Sequence, residues 1–146
     1  MFFSNKKKPL LPEEESRLLS AIEKAEKQTS GEIKVHIDKV CKENVIDFCK
    51  NKFHELKMHE TQNRNGILLY LAIDTKVFAV WGDEGIHQKV QSNFWDNITN
   101  TAINEFKSGS IISGLEKAIE LCGSQLQEHF PYAKDDKNEL SNEISF

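Results

Sequence analysis

A chain of 146 residues and 16.8 kDa suits one compact domain that folds without disulfide or metal staples. Charged residues at 29% and apolar ones at 38%, with apolar runs recurring along the chain, argue against extended disorder. A net charge of −4, from 19 Lys and Arg against 23 Asp and Glu, argues against a nucleic-acid binder, whose affinity comes from neutralising phosphates.

Residues 1–10 read as a flexible N-terminal segment. Two phenylalanines precede Lys6-Lys7-Lys8 and no apolar stretch of leader length follows, so no signal peptide is expected and the compartment is read as cytoplasmic. The lysines are too few for a membrane or nucleic-acid patch and read as a solvated run. Leu11-Pro12-Glu13-Glu14-Glu15 opens a helix: proline is pre-set for the first turn and three glutamates oppose the positive end of its dipole. Leu18, Ile22 and Ala25 form its apolar stripe, and Thr29-Ser30-Gly31 ends it. Ile33, Val35 and Ile37 then alternate with Lys34 and His36, which predicts a strand near a sheet edge with one wetter face.

Asn44 caps a second helix whose stripe runs Val45, Phe48, Cys49, Phe53, Leu56. Lys57 to Asn65 is polar and reads as a loop. Ile67 to Ile73 is apolar throughout, a strand buried on both faces, and Asp74-Thr75-Lys76 is a hairpin turn into a strand over Val77 to Trp81. After Gly82-Asp83-Glu84-Gly85 come helical segments carrying Ile86, Val90, Phe94, Ile98, Ala102 and Phe106, with an interruption near Ser92. A last amphipathic helix presents Ile112, Leu115, Ala118, Ile119, Cys122 and Leu126. Residues 11–130 thus form a single domain, and 131–146 read as a polar, acidic, solvated tail. The order α-β-α-β-β-α-α implies helices on both faces of a small mixed sheet.

Several motifs fail. His54-Glu55-Leu56-Lys57-Met58-His59 spaces its histidines by five residues, not the four that align two zinc ligands on a helix. Cys41, Cys49 and Cys122 are unclustered, so neither a disulfide framework nor a thiolate zinc site is indicated. There is no glycine-rich nucleotide loop, and Asp135-Asp136-Lys137-Asn138-Glu139 lacks the central glycine of a calcium-binding EF-hand loop. No run approaches the ~20 apolar residues of a membrane span.

One constellation survives. A β-α-β crossover makes the first two strands parallel, and the hairpin returns the third strand to the end of the sheet where they start. Thr29-Ser30-Gly31-Glu32, Asn63-Arg64-Asn65-Gly66 and Gly82-Asp83-Glu84-Gly85 should therefore converge. Glu32, Asp83 and Glu84 then supply carboxylates beside Asn65 and loop carbonyls, a hard-oxygen set suited to Ca²⁺ or Mg²⁺ rather than zinc. The same residues admit a plainer reading: a Glu32–Arg64 ion pair, an exposed Asp83-Glu84 turn, and glycines that serve backbone geometry alone.

Ser30-Gly31-Glu32-Ile33-Lys34-Val35, Arg64-Asn65-Gly66-Ile67-Leu68-Leu69-Tyr70 and Trp81-Gly82-Asp83-Glu84-Gly85-Ile86 resemble the TPM domain family of thylakoid lumen proteins and related bacterial proteins, here of a stand-alone bacterial type. Phe106-Lys107-Ser108-Gly109 through Gly114-Leu115 and Asn138-Glu139-Leu140 also fit, and the likeness spans about residues 10–130. The resemblance implies a three-layer α/β/α sandwich around about four strands. It also implies a divalent-metal site on Asp83, Glu84 and the Asn63–Asn65 loop, with Glu32 close by and Ca²⁺ favoured over Mg²⁺. Two functions follow. One is a metal-binding regulatory or interaction domain, expected to be a monomer with an unidentified protein partner and no membrane span. The other is a metal-dependent phosphomonoester phosphatase, the activity attributed to plant members, in which Arg64 would contact the phosphate.

Overall fold

The computed structural model describes residues 8–133 and 140–146. The Lys6-Lys7 part of the basic run and the acidic stretch Asp135–Glu139 lie outside them.

Helix α1 (Pro12–Glu26) begins where the proline predicts, and the Leu11 N–H donates to Glu14 Oε1 at 2.8 Å, which satisfies one orphan amide of the first turn. Strand β1 (Glu32–Asp38) follows, then α2 (Val45–Glu55), whose Asn44 Oδ1 accepts from the Asp47 N–H at 3.0 Å. Strands β2 (Gly66–Ala72) and β3 (Val77–Gly82) form the hairpin, with Lys76 in the left-handed region at φ 58°. A single turn α3 (Glu84–His87) precedes α4 (Phe94–Ser108) and α5 (Ile111–His129), so the expected interruption near Ser92 is real.

The sheet order is β1-β2-β3, with β1 parallel to β2 and β2 antiparallel to β3. Alternation sorts β2 between two cores. Ile67, Leu69 and Leu71 join α1, α4 and α5 on one face, while Leu68, Tyr70 and Ala72 pack with Cys49 and Phe53 of α2 on the other. This is the three-layer α/β/α sandwich, although its sheet has three strands rather than about four. Each fully buried aliphatic side chain in these layers is worth about 1.5–3 kcal/mol, so the layers rather than local propensity hold the fold.

Three expectations change. The β1 face carrying His36 is not wet: His36 is 3% exposed and stacks on Tyr70 with ring centroids 5.7 Å apart. The loop from Lys57 to Asn65 sinks Met58, Thr61 and Asn65 into the protein. The C-terminal stretch is not wholly solvated, although Ser141, Glu143 and Phe146 are exposed. Ile144 is buried in the larger core, and Ser145 bridges to His36 in parallel, at the position a fourth strand would take. Alternation hid this because only Ile144 and the half-buried Leu140 turn aliphatic side chains inward from a largely polar stretch.

Candidate functional site

Register and connectivity bring the three loops together as expected. Glu32 pairs with Gly66 and Ile67 with Gly82, and the Asp83 N–H donates to the Gly66 carbonyl at 2.9 Å. Arg64 sits at φ 51°, which lifts its side chain out of the entry to β2. A Cβ at Gly85 would run into the Asn63 and Arg64 carbonyl oxygens, so only glycine lets α3 approach that loop.

At the crossing Arg64 grips Asp83. Its Nε donates to Asp83 Oδ2 at 2.7 Å and its Nη2 to Asp83 Oδ1 at 2.8 Å, a bidentate pair, while Nη1 reaches Glu84 Oε1 at 3.3 Å. Asp83 Oδ1 also accepts from the Glu84 N–H at 2.8 Å. The Asp83 side chain is 5% exposed and that of Arg64 40%, so a nearly buried carboxylate is met by a half-exposed cation. The Asp83 hydrogen bond, ahead of its charge and that of Glu84, holds the Arg64 guanidinium above the ordinary arginine range.

Glu32 goes elsewhere. It is 2% exposed, and its carboxyl group hydrogen-bonds Glu26 at the end of α1 instead of pairing with Arg64. Glu26 Oε2 accepts from the Ile33 N–H at 2.8 Å. Burial pushes the Glu26 carboxyl up to about 7, against the opposing pull of its hydrogen bonds and the Lys34 charge. Asn65 is fully buried; its Nδ2 donates to Ser30 Oγ at 3.3 Å, while its Oδ1 has no hydrogen-bond partner among the described residues. Asn63 is exposed and contributes its backbone carbonyl at the Gly85 contact.

The structure thus joins Arg64, Asp83 and Glu84, sets Asn65 beside Ser30, and turns Glu32 to Glu26. Among the described residues no group of three or more His, Cys, Asp or Glu is placed to hold a metal ion. Donor chemistry still suits a hard cation at the orphaned Asn65 oxygen, but Arg64 already occupies both oxygens of Asp83. Sequence reasoning missed Glu26. Its signal was an acid in the last turn of a helix, where the dipole disfavours negative charge and a special partner is needed.

The sequence model of the TPM domain matches residues 4–125, which include all three loops. This chain belongs to the TPM domain family. The TPM domain is similar to the solution structure of the BA42 protein from the psychrophilic bacterium Bizionia argentinensis, with 43% identity and a TM-score of 0.88, covering 98% of this chain and 99% of that one. It shares a fold with the N-terminal domain of a P. gingivalis protein at 18% identity and a TM-score of 0.68, covering 85% of this chain and 82% of that one. A search of curated proteins finds no match. Among the described residues of the TPM domain no helix is long and apolar enough to cross a membrane.

Proposed function

We propose that this TPM domain binds a divalent cation at the three-loop end of its sheet and uses it in a regulatory or interaction role. The observation that carries the reading is Asn65 Oδ1, a buried carbonyl oxygen without a donor among the described residues, in the loop crossing that also holds Asp83 and Glu84. Asn65, Asp83 and Glu84 would hold the ion, with Asn63 and Glu32 at the margin. An irregular set of carbonyl and carboxylate oxygens on loops suits Ca²⁺ better than Mg²⁺, which demands near-ideal octahedral geometry. When bound, the ion supplies the positive charge that the two carboxylates otherwise take from Arg64.

The chain's own residues make this a switch. Arg64 neutralises Asp83 and Glu84 in the resting arrangement. Released from them, its guanidinium turns to solvent and changes the charge shown to a protein partner. Gly85 keeps the two loops in contact, so a change at Asp83 reaches α3 directly. The phosphatase reading has less support. It asks Arg64 to hold a phosphate, and that guanidinium is already paired. Burial also pushes the Cys49 thiol up to about 12 and raises that of Cys122, so neither is a poised nucleophile.

Calorimetric titration of the chelator-treated chain with CaCl₂ and MgCl₂ tests the proposal. Saturable heat is expected in the wild type, absent in Asp83→Ala and weakened in Asn65→Ala. No heat and no rise in melting temperature in the wild type would overturn it.

A further inference from the structure

The outer edge of β1 is independent of the cation reading. In a strand, alternate residues direct N–H and C=O to one side, and here Ile33, Val35 and Ile37 direct theirs away from β2. Three of those six groups are met: the Ile33 N–H by Glu26 Oε2, the Val35 carbonyl by the Ser145 N–H at 2.9 Å, and the Ile37 N–H by the Ser145 carbonyl at 2.9 Å. The Ile33 carbonyl, the Val35 N–H and the Ile37 carbonyl have no hydrogen-bond partner among the described residues. Val35 is 0% exposed, so water does not readily replace the missing acceptor.

The chain's own C-terminal segment explains the shortfall. Regular parallel pairing around the His36–Ser145 bridge would set Glu143 against Ile33 and Val35, its N–H to the Ile33 carbonyl and its carbonyl to the Val35 N–H. Glu143 instead gives its N–H to Ser141 Oγ at 3.2 Å, and its carbonyl accepts from Lys34 Nζ at 3.2 Å. Among the described residues the segment therefore pairs with the β1 backbone through Ser145 alone. Its side chains still define the slot: Ile144 is buried in the larger core, and Ser145 Oγ meets His36 Nδ1 at 2.7 Å.

We propose that the outer edge of β1 is a strand-accepting groove, half-filled in cis by Glu143–Phe146, that takes an extended protein segment in parallel. The fitting segment carries an aliphatic residue where Ile144 lies, Ser or Thr against His36, an aromatic next, and at least one further residue. Such a strand satisfies the groups that the described part of the cis segment leaves unmet, so it displaces that segment.

The probe is a fluorescent peptide of residues 140–146 extended by two valines, added to the full chain. Ile144→Asp, which frees the cis segment, is expected to bind it about tenfold or more tighter than the wild type. A peptide with proline at the Ser145 position, lacking the N–H that the Val35 carbonyl accepts, is expected not to bind. In the wild type at millimolar peptide, the Val35 amide should shift in NMR spectra and gain protection from exchange. A folded Ile144→Asp chain that ignores the peptide overturns the proposal. So do wild-type Val35 and Ile37 amides unmoved at millimolar peptide, a result that does not depend on the variant folding.

Discussion

The loop crossing and the outer edge of β1 begin at the same residues, yet they bury polar groups by opposite means. At the crossing, nearly buried Asp83 is met by a full opposite charge, with two hydrogen bonds and a cap. Along the edge, Glu26 is met by another carboxyl group, and His36 lies between Asp38 Oδ1 at 3.0 Å and Ser145 Oγ at 2.7 Å. Burial leads the shift at both edge groups, upward for Glu26 and downward for His36, and each shift favours the uncharged form. An ion pair makes the crossing responsive to added ions, whereas neutralised groups make the edge responsive to protons.

The largest expected effect breaks the crossing alone. Gly85→Val drives a side chain into the Asn63 and Arg64 carbonyl oxygens and should cost about 3 kcal/mol or more in chemical denaturation. The amides at the Ser145 bridge should keep their exchange protection if the two regions are independent. Next, Asp83→Ala removes the α3 cap and the bidentate pair and should cost about 2 kcal/mol. Arg64→Ala, which leaves the buried carboxylate without its opposite charge, should also lower stability. Equal stability of Arg64→Ala and wild type would dissolve the contrast between the regions.

The edge should answer to pH. The folded Glu26 pKa, about 7, lies above its ordinary value of 4.5, so its stabilisation is full below about 4.5 and is lost as pH rises through 7. Glu26→Gln, which keeps an oxygen for the Ile33 N–H, should therefore exceed the wild type by about 1–2 kcal/mol at pH 8 and match it near pH 4.5 in thermal melts. His36 runs the other way. Its folded pKa lies below the ordinary 6.5, so the unfolded chain takes the proton first and stability falls as pH drops below 6.5. His36→Gln should lack that slope, the smallest effect in the series, read as the difference in melting temperature from the wild type between pH 7 and 5.

Much of this was legible in the sequence because its signals are local. Pro12 with its glutamates, Asn44, the unbroken apolar run of β2 and the short Asp74-Thr75-Lys76 turn each fix an element through neighbours a few residues away. The parallel pairing of β1 with β2 and the convergence of three glycine-bearing loops followed from connectivity alone. Partner choice was not local. Arg64 could reach either Glu32 or Asp83. The turn at its φ of 51° and the seating of Gly85 on the Asn63–Arg64 backbone settled it for Asp83, while the end of α1 claimed Glu32 for Glu26.

What the sequence by itself determined is the order of elements, the two-faced patterning of the sheet and the set of residues gathered at its end, since periodicity and chain direction dictate these. Only the tertiary structure decided which charge met which, and that a polar C-terminal stretch lies along β1. The second outcome depends on contacts such as His36 with Ser145, 109 positions apart, and the first on loops that meet across 19 positions, and no local propensity encodes either.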